Sequence, residues 1–163
     1  MPGEKIKENG LIINAAFYVD RSVSMGNDIN NVFKAVYTIS EALKKQFSKE
    51  KVVKNIKFRI FAWDNRIQEL EFGKKCQVDG GTMPFEQLLG HINDLTKDYM
   101  INIIITDGEF SGINENEVIR FVKGLGGIIL YISNQSNYTV KNIAKKFEKQ
   151  LFYITADSNF TIK

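Results

Sequence analysis

The chain has 163 residues, of which 44% are apolar and 25% are charged, and this composition is ordinary for one soluble globular domain. A net charge of +3 is too small to predict a nucleic-acid-binding protein, and no run approaches the ~18 consecutive apolar residues of a transmembrane helix. The N-terminus lacks the apolar core of a signal peptide, and the single cysteine, Cys76, excludes an internal disulfide, so we expect a cytoplasmic protein.

Apolar runs that predict strands alternate with amphipathic runs that predict helices. The first strand covers residues 11–19, and a helix follows it, because apolar residues then recur at three- and four-residue spacing. These residues are Ile29, Val32, Phe33, Val36, Ile39, Leu43 and Phe47. A second strand at residues 55–64 ends in an Asp-Asn turn signal, and residues 67–72 can return beside it as a short hairpin partner.

The second half of the chain continues this alternation. A break at residues 80–84 precedes a second helix, which has Pro84 in its first turn. Residues 100–106 form a continuous apolar run, which is typical of a central parallel strand. The pattern ends with a helix at residues 114–125, a strand at 128–133, a helix that includes 140–147 and a strand at 151–155.

The order of these elements, β-α-β-β-α-β-α-β-α-β, predicts an α/β fold with three layers. We expect a mostly parallel central sheet with one antiparallel edge strand, and helices on both faces. A single domain is predicted over residues 1–163, with a core that spans about residues 11–156. Residues 1–9 and the tail after Ala156 are expected to lie outside this core.

Oxygen-bearing side chains occur in three loops of this predicted fold. Asp20, Ser22 and Ser24 follow the first strand, Thr82 precedes the second helix, and Asp107 follows the strand at residues 100–106. Because the carboxyl ends of parallel strands lie at one edge of a sheet, these groups meet in one cleft if the first and fourth strands are neighbours. Ligands that are all oxygen suit a hard divalent cation such as Mg²⁺.

The same residues form three motifs, which occur in this order: Asp20-x-Ser22-x-Ser24-Met25-Gly26, Gly81-Thr82 and Thr106-Asp107-Gly108. In order and spacing they resemble the metal-ion-dependent adhesion site of von Willebrand factor type A domains, and the resemblance extends from about residue 11 to residue 156. It implies a Rossmann-like fold. The intracellular bacterial and phage members of the family resemble this chain most.

The resemblance also implies roles for the individual residues. Ser22 and Ser24 would bind Mg²⁺ or Mn²⁺ through their hydroxyls, and Thr82 would bind directly or through water. Asp20 and Asp107 would act mostly through metal-bound waters. Neutral hydroxyl ligands leave the charge of the metal poorly neutralised, so an open position favours a Glu or Asp carboxylate from another protein. The implied function is a metal-dependent protein–protein interaction module, an adaptor or subunit of an AAA-type ATPase-linked complex.

Other interpretations of these residues remain open. Ser and Asp are common helix caps, and Asp107-Gly108 alone is an ordinary turn. A phosphatase of the haloacid dehalogenase type needs a second carboxylate two residues after the first, where this chain has Ser22. No general base is evident beside the site, so we expect no enzyme, with a metal-dependent hydrolase or nuclease as the alternative. A structural subunit with a vestigial metal site is a third possibility.

Overall fold

The computed structural model of the protein describes residues 10–108, 110 and 113–161. The strands in this part of the chain are β1 (Leu11–Asp20), β2 (Val53–Trp63), β3 (Ile67–Leu70), β4 (Ile101–Thr106), β5 (Ile128–Ser133) and β6 (Leu151–Thr155). The α-helices are α1 (Ile29–Ser48), α2 (Phe85–Thr96), α3 (Glu115–Lys123) and α4 (Tyr138–Lys146). None of the described helices is both long enough and apolar enough to cross a membrane.

The strands form one sheet in the order β3-β2-β1-β4-β5-β6. Strand β3 pairs antiparallel with β2 at one edge, and the other neighbours pair in parallel. The predicted α/β fold with one antiparallel edge strand is therefore confirmed. The first and fourth strands are neighbours, and Val19 lies opposite Ile105, so the ends of β1 and β4 lie side by side.

Alternation along the strands divides the core into two layers, one on each face of the sheet. In β1, Phe17 packs with α1 on one face, and Tyr18 packs with α2, α3 and α4 on the other. Every residue of β4 is buried, as expected for a central strand covered on both faces. Packing on both faces therefore fixes the ends of the strands and helices. The loops that join these ends are held in defined positions as a result.

Two differences from the predicted secondary structure have local reasons. Helix α3 begins after Asn114 and ends before Gly124, which makes it shorter than the predicted 114–125. The Asn114 side chain accepts a hydrogen bond from the Glu117 N–H, so Asn114 is the cap of the helix and not part of it. A 3₁₀ turn at Val23–Met25, which the sequence did not predict, precedes α1.

The core extends beyond residue 156, where the sequence predicted its end. Ala156 donates its N–H to the Ser133 carbonyl (2.8 Å), which continues the β5–β6 contact into the tail. The Phe160 side chain is 2% exposed and joins the core layer that α1 covers. The expectation of a tail outside the core is therefore wrong for residues up to Phe160, because one aromatic side chain anchors the tail.

Candidate metal centre

Asp20 is a fully buried carboxylate at the carboxyl end of β1. Its Oδ1 accepts a hydrogen bond of 2.8 Å from the Ser22 backbone N–H. Its Oδ2 accepts one of 2.8 Å from the Thr106 hydroxyl at the end of β4. Both carboxylate oxygens are thus held by donors of this chain, and they connect the ends of the two adjacent strands.

A second carboxylate lies close to the first. Asp107 follows β4 and is 3% exposed. Burial raises the pKa of Asp20 to about 6, hydrogen bonds from Ser22 and Thr106 oppose the rise, and the negative charge of Asp107 adds to it. Two buried carboxylates at one edge repel each other, so a cation beside them would stabilise their charged forms.

Two hydroxyls lie together on the loop after β1. Ser22 is 3% exposed and Ser24 is exposed, and their Oγ atoms are 3.0 Å apart. The 3₁₀ turn brings them together, and the fully buried Met25 anchors that turn in the core. Adjacent ligand oxygens around an octahedral Mg²⁺ with bonds of about 2.1 Å are about 3.0 Å apart. The two hydroxyls share a hydrogen bond at this distance, and they lie close enough together to bind one such cation.

Thr82 is half-buried on the segment between β3 and α2, and its hydroxyl donates to the Met83 carbonyl at 3.5 Å. That segment is joined to the serine loop, because the Val23 N–H donates to the Gly80 carbonyl at 3.2 Å. The structure thus brings Asp20, Ser22 and Ser24 together, places Asp107 near Asp20, and connects the segment of Thr82 to the serine loop through Gly80.

The donor set decides which kind of metal would fit. Among the described residues, no group of three or more His, Cys, Asp or Glu side chains could hold a metal ion. The predicted set contains only Asp20 and Asp107 from those types, and hydroxyls supply the rest. Such a set suits Mg²⁺ or Mn²⁺, which accept oxygen ligands and water, better than metals that prefer imidazole or thiolate.

Residues without a predicted role also build this edge. Thr106, which is fully buried, holds Asp20 and also accepts a hydrogen bond of 3.0 Å from the Gly108 N–H. Burial raises the pKa of Tyr131, and the nearby charges of Asp107 and Asp20 raise it further, so the phenol is neutral beside both carboxylates. Thr106 belongs to the Thr106-Asp107-Gly108 motif of the sequence, but its hydrogen bond to Asp20 becomes visible only in the tertiary structure.

Comparison with known proteins gives matches among solved structures. No protein-family model matches the chain, and no curated protein matches it. A structure of an aerotolerance-related membrane protein from Bacteroides fragilis, which carries multiple mutations to serines, has a TM-score of 0.59 at 12% identity. That match covers 90% of this chain and 92% of the other.

Two further structures are larger than this chain. Proximal thread matrix protein 1 from the mussel byssus, in a form with a zinc-occupied MIDAS motif, matches with a TM-score of 0.57 at 16% identity. The ArnB paralog VWA2 from Sulfolobus acidocaldarius matches with a TM-score of 0.51 at 16% identity. Each match covers 88% of this chain but only 41% of the other. The sheet order and these neighbours show that the chain has the von Willebrand factor type A fold.

Proposed function

We propose that the protein is a metal-dependent interaction module that binds a carboxylate of another protein through Mg²⁺ or Mn²⁺. The observation that carries this proposal is the pair of serine hydroxyls, 3.0 Å apart, beside the buried carboxylate of Asp20. Ser22 and Ser24 are the proposed direct ligands, and Thr82 is a ligand directly or through water. Asp20 and Asp107 hold metal-bound waters and balance the charge.

The charge of the surrounding loops supports a partner that supplies Glu or Asp. The segments at residues 20–28, 79–84, 106–114 and 133–138 contain no lysine, and Arg21 is their only basic residue. Arg21 is paired with Asp64, and its side chain is 12% exposed. A carboxylate that approaches the predicted ligands therefore finds no accessible basic side chain in these four segments, although the exposed Arg66 lies in the turn after β2 at the same edge of the sheet. A bound divalent cation would supply the positive charge and an open coordination position.

The proposal also includes a role for the protein within a larger assembly. The mussel protein shows that this fold can hold a metal in a MIDAS motif. By its resemblance to intracellular members of the family, the chain acts as an adaptor or subunit of a larger assembly, such as an AAA-type ATPase-linked complex. A single cysteine agrees with a reducing cytoplasm.

The first prediction is that Mg²⁺ and Mn²⁺ raise the melting temperature of the protein. A ligand that binds only the folded state stabilises it by mass action, by about 2.7 kcal/mol at a concentration 100 times its Kd. Thermal melts in chelator and across a millimolar titration measure the shift. Ser22→Ala should reduce it, whereas Ser48→Ala at the far end of α1 should not. A melting temperature that is insensitive to both metals would contradict the proposal.

Partner capture tests the second half of the proposal. Asp20→Ala and Asp107→Ala should abolish capture of partners that the wild type retains in Mg²⁺ and releases in chelator. Replacing the partner's contacting Glu or Asp by Gln or Asn should have the same effect. Recovery of the same partners in chelator would exclude a metal bridge.

The alternative function, a metal-dependent hydrolase or nuclease, has a separate test. The metal-loaded protein should not hydrolyse a generic phosphodiester or nucleic acid, and turnover that Asp20→Ala abolishes would instead favour this alternative.

A further inference from the structure

The segment that carries Thr82 belongs to no described helix or strand, yet it is tied to the serine loop by two backbone hydrogen bonds. The Asp79 N–H donates to the Arg21 carbonyl at 2.8 Å. The Val23 N–H donates to the Gly80 carbonyl at 3.2 Å. Backbone atoms on both sides of Ser22 therefore hold the segment two residues before Thr82.

A buried ion pair lies beneath this contact. Arg21 Nη2 is 3.3 Å from Asp64 Oδ2, and the two side chains are 12% and 1% exposed. Asp64 is fixed at the end of β2, because its Oδ1 accepts a hydrogen bond of 2.8 Å from the Arg66 N–H. The Arg21 backbone is fixed as well, since its N–H donates to the Trp63 carbonyl at 2.8 Å. Removing one charge of such a pair leaves the other buried without compensation.

Gly80 lies directly on the Asp64 carboxylate. Its φ is +58°, and a Cβ at this position would be 2.8 Å from Asp64 Oδ2 and 3.1 Å from Asp64 Cγ. Any side chain there would push the segment away from Asp64 and would also strain the backbone. Gly73, in the same segment, also has a positive φ (+93°), but a Cβ there would meet nothing within 4 Å.

We propose that Arg21, Asp64 and Gly80 form a clamp that positions the Thr82 hydroxyl for the metal. This inference rests on the proposed metal-binding function and assigns positioning roles to residues outside the predicted ligand set. Arg21 lies between Asp20 and Ser22 in the sequence, so its backbone belongs to the ligand loop while its side chain anchors the clamp. Displacing Gly80 from Asp64 would move Thr82 relative to the two serines.

Mn²⁺ affinity, measured by electron paramagnetic resonance on the folded protein, tests the clamp. Gly80→Ala should weaken Mn²⁺ binding about tenfold or more, the size of effect that supporting residues of metal sites have. Gly73→Ala is the matched control, because it also places an alanine at a positive φ but in open space, and it should leave the affinity within about twofold of wild type. Equal affinities for the two alanine variants would overturn the clamp.

A double mutant separates positioning from a general structural effect. Thr82→Val removes the hydroxyl and keeps the shape of the side chain. If Gly80→Ala acts through Thr82, adding it to Thr82→Val should weaken Mn²⁺ binding no further, whereas independent effects would multiply. Multiplied losses would show that the clamp does not act through Thr82 and would overturn it.

Arg21→Gln is a second variant that leaves Gly80 intact and serves if Gly80→Ala does not fold. Loss of a positive charge near the site should by itself strengthen cation binding. The clamp instead predicts weaker Mn²⁺ binding, so stronger or unchanged binding in folded Arg21→Gln would overturn it. Absence of Mn²⁺ binding by the wild type would overturn the proposed function and the clamp with it. Binding by the wild type with no effect of these variants would overturn the clamp alone.

Discussion

Asp20 destabilises the metal-free protein at neutral pH because burial disfavours its charged form. Its pKa in the folded state is about 6, above its ordinary value of 3.8. The folded state thus binds this proton more tightly than the unfolded state, so the contribution of Asp20 to stability falls as the pH rises from about 4 to about 6 and stays low above that. The full loss is about 3 kcal/mol at most, from ~1.4 kcal/mol per pKa unit.

Asp20→Asn should therefore stabilise the protein in chelator at pH 7.5, by about 1–3 kcal/mol, because it removes the buried charge. The gain should shrink near pH 4, where the wild-type carboxyl is protonated in the folded state. Urea denaturation at both pH values measures the difference. Asp94→Asn makes the same change at an exposed position and should have little effect. The account of Asp20 would be wrong if Asp20→Asn were less stable than wild type in chelator at pH 7.5.

Helices α3 and α4 each begin with an asparagine cap, but the two asparagines differ in their other contacts. Asn114 caps α3 by accepting a hydrogen bond from the Glu117 N–H, and Asn137 caps α4 by accepting one from the Val140 N–H. Asn137 also donates from Nδ2 to the Gly108 carbonyl at 3.2 Å. Since Gly108 directly follows Asp107, the start of α4 supports the loop that carries the second carboxylate.

Asn114→Ala and Asn137→Ala should each cost about 1 kcal/mol of stability through loss of a cap. Only Asn137→Ala should also weaken Mn²⁺ binding, because it releases the Gly108 carbonyl beside Asp107. Chemical denaturation gives the first quantity, and Mn²⁺ titration of the folded variants gives the second. Equal Mn²⁺ affinities in the two variants would argue against a link between α4 and the metal loop.

The two faces of the molecule are covered unequally among the described elements. Helices α2, α3 and α4 pack on one face, whereas α1 and the tail residue Phe160 pack on the other. Phe160 has a φ of 59°, an uncommon conformation for a residue with a side chain. Burial of its ring in the core outweighs this local cost, so the tail is part of the folded unit.

Phe160→Ala should cost about 3–5 kcal/mol of stability, as for a phenylalanine in a packed core, because alanine loses the ring and keeps the unfavourable φ. Phe152→Ala is the matched control on β6, where the side chain is 39% exposed. It should cost clearly less, because its ring already contacts solvent. Urea denaturation of both variants gives the comparison, and similar losses would show that the tail does not contribute to the core as described.

Local patterns in the sequence were sufficient for much of the fold. The bounds of β5 and β6 agree with prediction, since short apolar runs between polar turns define them. Strand β3 ends at Leu70 instead of residue 72, because pairing with β2 stops there. The candidate metal site stays a prediction, and it depended on three motifs in order, at Asp20 to Gly26, Gly81-Thr82 and Thr106 to Gly108, because the serine spacing alone is also typical of a helix cap.

The sequence by itself determined which elements form and which side chains stand in each loop, because periodicity and turn residues report on local conformation. Only the tertiary structure decided which loops meet. Asp20 and Thr106 are 86 residues apart in the chain, yet they share a hydrogen bond. The contact of Gly80 with Asp64 and the burial of Phe160 are likewise long-range. Such contacts depend on how elements that are distant in the sequence pack together, and a pattern within one segment does not indicate this packing.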